Sequence, residues 1–135
     1  MRATLLALGA GLGFAALVAA CAPPPVATGA RADFAAYCAV CHGEDGRGGG
    51  PLAAELAMAP PDITLVTRRN GGIFPKTQTM GHIAGYTMGR SDSAMPQFAD
   101  LLDGPTVMYD DGSGQAVPTP ARLVALADYV QSIQR

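Results

Sequence analysis

The chain has 135 residues, carries a formal net charge of −2 and is 49% hydrophobic but only 15% charged. This length is too short for two ordinary domains. The basic residues include a single lysine, Lys76, and they form no stripe that could follow a phosphate backbone. The composition therefore argues against a nucleic-acid-binding protein and indicates one small domain with a modest core.

The first predicted element is a signal for export. Eighteen uncharged residues, Ala3 to Ala20, follow Arg2, which is the layout of a secretory leader. The sequence Val18-Ala-Ala-Cys21 resembles the cleavage signal of bacterial lipoproteins, in which the cysteine is lipidated and becomes the mature N-terminus. We therefore expect residues 1–20 to form a signal peptide and Cys21 to carry the lipid.

Two other fates of the leader are open. An ordinary peptidase could cut near Ala20 and release a soluble protein. The run from Ala3 to Ala22 could also stay as an uncut anchor, because about 20 apolar residues span a bilayer. All three outcomes export the domain, since Arg2 favours a cytoplasmic N-terminus. The predicted location is the periplasmic side of a bacterial membrane.

Residues 21–29 are predicted to form a proline-rich membrane tether. The stretch contains three consecutive prolines, Pro23 to Pro25, and shows no hydrophobic periodicity. Polyproline geometry extends about 3.1 Å per residue, so eight residues would span roughly 25 Å. The folded domain is then expected to cover residues 30–135.

The motif with the clearest chemistry is Cys38-Ala-Val-Cys41-His42. Cysteines three residues apart lie on one face of a helix, and the adjacent imidazole can reach an iron, as in the attachment of a c-type haem. A thioredoxin-like pair shares the cysteine spacing but follows a strand, whereas residues 30–37 are predicted to be helical. A zinc site would need two further ligands. The motif predicts one covalent haem c.

From about Ala30 to Arg135 the chain resembles a class I c-type cytochrome. The segments that carry the resemblance are Phe34-Ala-Ala-Tyr-Cys-Ala-Val-Cys-His-Gly43, Gly50-Pro-Leu52, Arg69-Asn-Gly-Gly-Ile-Phe-Pro75, Ile83-Ala-Gly-Tyr86, Ala94-Met-Pro-Gln-Phe98 and a closing helix. The resemblance implies a small all-α fold of several short helices around one haem. It also implies that the last helix crosses the first, with Tyr129 near the crossing.

The sixth iron ligand is predicted to be a methionine. The candidates after the leader are Met58, Met80, Met88, Met95 and Met108. Met95 is favoured because Pro96 holds the preceding residue extended, which can turn a thioether toward the iron. It also lies in the Met-Pro-x-Phe context that supplies this ligand in the family the chain resembles. Met88 ranks next, and His82 ranks last because a helix-surface position explains that histidine.

The remaining methionines are expected to be packing groups. Met58 follows the haem motif closely, and Met108 falls in a predicted strand. Met80 lies on the apolar face of a helix predicted from about Pro75 to Tyr86, where a core methionine is the commoner explanation.

Amphipathic helices are predicted at both ends of the domain. A first helix is indicated by residues at helical spacing: Phe34, Tyr37, Cys38 and Cys41. The last helix is predicted to begin with Thr119 as the capping side chain and Pro120 as the first helical residue. Its buried face is predicted to comprise Leu123, Leu126, Ala127, Val130 and Ile133.

Five glycines from Gly43 to Gly50 are too flexible for a helix and suggest a backbone that passes close to the porphyrin edge. In the family the chain resembles, a proline carbonyl next to this segment accepts the proton of the proximal imidazole. The resemblance thus implies that Pro51 belongs to the cofactor-binding residues, because its carbonyl would orient the imidazole of His42. Arg68 and Arg69 are candidates to balance the haem propionates.

Two turns are predicted from their residue types. Pro60-Pro-Asp62 is typical of the cap before a short helix. Asp110 to Gly114 separates two short β-prone runs and predicts a small hairpin near residues 106–118. The acidic tip of this hairpin is expected to be a solvated turn.

The predicted function is electron transfer by a periplasmic, membrane-tethered monohaem cytochrome with iron held by His42 and Met95. Its partners would be redox proteins such as membrane oxidoreductase complexes, with the membrane reached through the lipid anchor and no nucleic acid involved. No catalytic residue is predicted, so the protein is not expected to be an enzyme. Two alternatives are open: a haem subunit of a larger dehydrogenase or oxidase, and a haem enzyme or sensor with an open sixth position.

Overall fold

The structure, a computed structural model, describes residues 26–86 and 95–135. The predicted signal peptide over residues 1–20 and the predicted lipidation site at Cys21 lie outside these ranges, and so does Met88. Within the two ranges, no helix is long and apolar enough to cross a membrane.

The described chain consists mostly of short helices with one small hairpin. The elements in chain order are α1 (Val26–Asp33), a π-helical turn (Phe34–Cys38), α2 (Ala39–His42), two 3-10 turns (Ala53–Glu55 and Ile63–Leu65), α3 (Val66–Arg69), α4 (Lys76–Ala84), β1 (Thr106–Tyr109), β2 (Val117–Pro120) and α5 (Ala121–Ser132). A small, mainly helical domain with a minor hairpin was expected from the sequence, and the structure confirms it at this level.

The first helical segment is continuous from α1 through the π-helical turn to α2. Phe34 and Cys38 are buried on it, and Tyr37 and Cys41 are half-buried, which confirms the predicted face. The π-helical turn ends at Cys38, the first of the two cysteines, and such turns are often found at functional sites. Helix α1 already includes residues 26–29, so the last four residues of the predicted tether belong to the helix.

Helix α5 forms the centre of the core, because α1 and α4 both pack against it. Four of its predicted core residues are buried and the fifth is half-buried: Leu123, Leu126, Ala127, Val130 and Ile133. The ring of Phe34 lies 5.1 Å from that of Tyr129, between ring centroids, so Tyr129 is at the contact between the first and last helices as expected. Burial of a phenylalanine side chain stabilises a domain by about 1.5–3 kcal/mol.

The hairpin is confirmed, but its second strand is longer than predicted. Thr106 pairs with Pro120, and Tyr109 pairs with Val117, in an antiparallel register. The prediction that Thr119 caps α5 and Pro120 is its first residue is therefore wrong. The Thr119 hydroxyl donates to the carbonyl of Val117 instead, and α5 begins one residue later without a side-chain cap. Strand pairing competes with the cap for the same residues, and the pairing prevails.

Two of the three predicted packing methionines are exposed. Met80 is buried in α4, as its position on the helix predicted. Met58 is 59% exposed and Met108 is 64% exposed, so neither fills the core. Met58 follows the 3-10 turn at the mouth of a cavity, and Met108 lies in a two-stranded hairpin whose residues are largely exposed. A local sequence pattern does not show whether another layer covers such a position.

Candidate functional site

The described part of the chain contains an apolar cavity of about 710 Å³ beside the first helical segment. Four of the predicted site residues line it: Cys38, Cys41, His42 and Met95. Most of the remaining lining is hydrophobic and includes Tyr37, Leu52, Leu56, Met58, Pro61 and Phe98. This volume is within the range of about 300–1,000 Å³ that is common for small-molecule and cofactor sites.

A second cavity, of about 410 Å³, shares part of its wall with the first. The residues that line both are Cys38, His42, His82 and Met95. The second cavity extends toward the core, where Phe34, Ile83 and Val130 line it. The two spaces therefore adjoin at these four residues.

The two cysteines have different surroundings, although both face the larger cavity. Cys38 is buried at the end of the π-helical turn, and Cys41 is half-buried in α2. Burial, assisted by the negative charges of Asp33 and Cys41, raises the pKa of the Cys38 thiol from 9.0 to about 11. This thiol is therefore protonated at neutral pH.

The imidazole of His42 is held by a backbone carbonyl. Its Nδ1 lies 3.3 Å from the carbonyl oxygen of Pro61, so Nδ1–H is the donor and the Nε2 lone pair is left for another partner. Burial is the main cause that lowers the pKa of His42; the bond to Pro61 opposes this, and the charge of His82 adds to it. A neutral imidazole of one defined tautomer is the form that binds a metal.

The carbonyl that His42 contacts belongs to Pro61, not to Pro51 as the family resemblance implied. Pro51 is exposed and does not line either cavity. The glycine segment before it folds back on α2, where the amides of Gly48 and Gly50 donate to the carbonyls of His42 and Cys41. These bonds satisfy carbonyls at the end of the helix. The expectation for Pro51 is therefore not met by this geometry.

Close packing explains why glycines occupy this segment. A Cβ on Gly50 would lie 2.5 Å from the carbonyl oxygen of Ala39 and 2.6 Å from the carbonyl carbon of Cys41. Gly48 has φ +92° and lies against the carbonyl of Pro60. The segment passes directly over the helix that carries the cysteines, so it supports the site from behind.

The segment that presents the Pro61 carbonyl is held by its neighbour Asp62. The Asp62 carboxylate accepts from the amide and the hydroxyl of Thr64, at 2.9 and 2.6 Å, which confirms the predicted cap. Arg135 at the C-terminus donates to the other carboxylate oxygen at 2.8 Å. The hydrogen bond from Thr64, with help from Arg135, lowers the pKa of Asp62. Arg69 donates to the Asp62 carbonyl, and neither Arg68 nor Arg69 lines a cavity.

Met95 is half-buried and packs against the core. The segment that follows it is attached to α4, because the amide of Phe98 donates to the carbonyl of Ile83 at 3.0 Å. The ring of Phe98 also lies 6.3 Å, between centroids, from that of Tyr37 on the first helical segment. These contacts hold the segment that begins with Met95, and Met95 lines both cavities.

Sequence analysis missed one contributor to the site and ranked another last among the candidate ligands. Pro61 was assigned only to a turn, and His82 was interpreted as a surface histidine, whereas it lines both cavities although the residue is exposed overall. His82 lies three and four residues after Thr79 and Gln78, which also line the second cavity, so these three residues share one face of α4.

The described residues hold no cluster of three or more His, Cys, Asp or Glu side chains suited to a metal ion. What they bring together is two thiols, an imidazole and a thioether on one apolar cavity. These groups could hold an iron porphyrin covalently and complete its axial coordination. Comparisons of the chain with protein-family models, curated proteins and solved structures found no match.

Proposed function

We propose that the protein is a monohaem c-type cytochrome of the class I type that carries electrons on the periplasmic side of a bacterial membrane. The observation that carries this proposal is the convergence of Cys38, Cys41, His42 and Met95 on one apolar cavity. The first three are adjacent in sequence, but Met95 is more than fifty residues away. Its presence in the same wall is independent support for an iron site with two axial ligands.

The residues of the cavity fit such a cofactor. The sulfur atoms of Cys38 and Cys41 would form the two thioethers, and the free Nε2 of His42 would be the proximal ligand, with its ring oriented by the carbonyl of Pro61. Bound haem would supply an iron that changes oxidation state without the making or breaking of substrate bonds. A thioether from Met95 as the sixth ligand would raise the reduction potential.

The cavity mouth supports a role in electron transfer to other proteins. Val40, Leu52 and Met58 are exposed apolar residues, and all three line the larger cavity. Apolar patches at a cofactor edge are typical contact surfaces for protein partners. The proposed partners are redox proteins, including membrane oxidoreductase complexes, that dock over this edge with weak dependence on salt. Cys21 would supply the lipid anchor, and no substrate chemistry is proposed.

The proposal is tested by producing the full chain in a bacterium that attaches haem to exported proteins. Pyridine haemochrome spectra and intact mass should show one haem on two thioether bonds. The ferric protein should have a weak far-red sulfur-to-iron charge-transfer band, and Met95→Ala should abolish it. Cys38→Ala and Cys41→Ala should each leave a single thioether and lower the yield of haem protein.

Two results would contradict the proposal. A colourless exported protein with both thiols open to alkylation would remove the cytochrome assignment. Rapid, stoichiometric binding of carbon monoxide to the reduced wild-type protein would indicate an open sixth position and favour the enzyme or sensor alternative.

A further inference from the structure

We propose that His82 is a reserve axial ligand: when the Met95 thioether leaves the iron, the imidazole of His82 takes the sixth position. The inference rests on the proposed function and concerns this chain's own residues. Under it, loss of the thioether changes the reduction potential but does not leave a stable open site.

The position of His82 relative to both cavities is the first support. His82 and Met95 are the two residues common to both cavities that lie outside the Cys38–His42 motif. A group that could replace Met95 must reach the region where the two cavities adjoin, as Met95 does. Among the described residues that line the two cavities, only His42 and His82 have a basic nitrogen in the side chain. His42 is the proposed proximal ligand, which leaves His82.

The backbone coupling between the two segments is the second support. The hydrogen bond from the amide of Phe98 to the carbonyl of Ile83 joins the Met95 segment to α4 one residue after His82. Gly85 ends α4 in the left-handed conformation and lies against Gln97, which brings the segments together again. His82 and Met95 thus belong to two adjacent chain segments, and both line the region where the cavities adjoin.

His82 and Met95 are carried by different kinds of backbone. His82 lies on a regular helix that is anchored in the core by buried Met80, Ile83 and Ala84. Met95 lies outside the helices and strands of the described residues. Helix α4 is also fixed to α5 by the ion pair of Lys76 with Asp128, at 2.6 Å. Displacement of the Met95 segment would therefore leave His82 in place.

The exchange balances without an electron donor or acceptor. The Met95 thioether would give up its bond to the iron, and a neutral His82 nitrogen would supply the lone pair for the new bond; a protonated His82 would first release one proton to water. An imidazole is a harder ligand than a thioether and favours ferric iron, so the potential should fall. An attached ligand also competes with free ligands through its effective concentration, which is about millimolar for short connections.

The test compares Met95→Ala with Met95→Ala/His82→Ala, both as exported haem proteins. We expect the ferric Met95→Ala protein to remain low-spin by electron paramagnetic resonance, with a bis-imidazole signal and a lower midpoint potential. The double variant should be high-spin and should bind carbon monoxide rapidly when reduced. Added free imidazole should bind at least about tenfold more tightly to the double variant, because no internal ligand competes.

Met95→Ala/Thr77→Ala is the matched control, because Thr77 is an exposed residue of α4 that lines neither cavity, so this variant should behave as Met95→Ala does. A high-spin Met95→Ala protein, or equal imidazole affinities in the two His82 variants, would overturn the inference. Survival of the far-red band would also overturn it and would assign the ligand to another methionine. Pyridine haemochrome analysis of each variant separates these results from failure of the cytochrome proposal, which would show as absence of attached haem.

Discussion

The Nδ1 atom of His42 and the carbonyl oxygen of Pro61 lie 3.3 Å apart, although nineteen residues separate them in sequence. The orientation of the imidazole therefore depends on a loop that is remote from the cysteine motif. Asp62 holds this loop through Thr64 and the C-terminal Arg135, so the chain terminus contributes to the geometry of the site.

The Asp62 contacts predict a specific dependence of stability on pH. The folded-state pKa of Asp62 is lower than its ordinary value of 3.8, chiefly because of the hydrogen bond from Thr64. Its carboxylate should stabilise the fold above that value, and the contribution should be lost as pH falls through the lower folded pKa. Asp62→Asn should thus reduce Tm at pH 7, and the difference should be smaller at a pH well below 3.8.

Thermal unfolding followed by circular dichroism at both pH values measures this effect. Asp103→Asn is the control, because it removes one negative charge at an exposed position and should leave Tm nearly unchanged. A Tm difference for Asp62→Asn that is as large at low pH as at neutral pH would show that the carboxylate charge is not the cause.

The ion pair of Asp33 with Arg122 is predicted to stabilise the contact between α1 and α5. Arg122 binds both carboxylate oxygens, at 2.6 and 3.1 Å, and also donates to the carbonyl of Leu101 at 2.6 Å. The side chains are 14% exposed for Asp33 and 40% for Arg122. Arg122→Ala should therefore cost about 1–2 kcal/mol, between the values for surface and buried pairs.

Urea unfolding provides the measurement, with Arg47→Ala as the comparison. Arg47 pairs with Asp45, but both side chains are more than half exposed, so its loss should cost less than about 0.5 kcal/mol. Arg122→Lys should fall between Arg122→Ala and the wild type, because lysine keeps the charge without the two-point contact. Equal costs for Arg47→Ala and Arg122→Ala would refute the proposed difference.

Two adjacent glycines should differ sharply in their tolerance of a methyl group. Gly50→Ala places a Cβ against the backbone of Ala39 and Cys41, whereas a Cβ on Gly49 meets nothing within 4 Å. Gly50→Ala should destabilise the fold by about 1–3 kcal/mol and lower the fraction of chains that carry haem. Gly49→Ala should be neutral or stabilise by up to about 1 kcal/mol, because it restricts the unfolded chain. Unfolding curves and haem-to-protein ratios of both variants measure this difference. Similar losses of stability and haem content in Gly49→Ala and Gly50→Ala would contradict the prediction.

A second pair of glycines on α4 tests the support of Met95. Gly85 has φ +92°, and a Cβ there would lie 2.8 Å from the Cβ of Gln97, so Gly85→Ala should displace the segment that carries Met95. We expect a cost of about 1–3 kcal/mol and a weaker far-red band. Gly81→Ala, in the middle of the helix and with open space around it, should stabilise by about 0.5–1 kcal/mol. If Gly85→Ala destabilises the protein but leaves the far-red band unchanged, the end of α4 does not determine the position of Met95.

Local patterns were sufficient for the apolar faces of the first and last helices and for the hairpin. The face formed by Phe34, Tyr37, Cys38 and Cys41 follows from the helical repeat, and the hairpin follows from the turn residues Asp110 to Gly114. The Asp62 cap also depends only on residues two positions apart. Such features are encoded within one or two turns of chain, so the sequence alone determines them.

The tertiary structure decided the features that join distant segments. Pro51 and Pro61 offer the same chemical group, and the choice between them depends on the path of the glycine segment over α2 and on the anchoring of Asp62 by Arg135. His82 and Met95 line the same cavity because of the way α4 packs against α5. Sequence patterns specify which face of an element is apolar, but contacts between segments also depend on loop paths and close packing, which no local pattern contains.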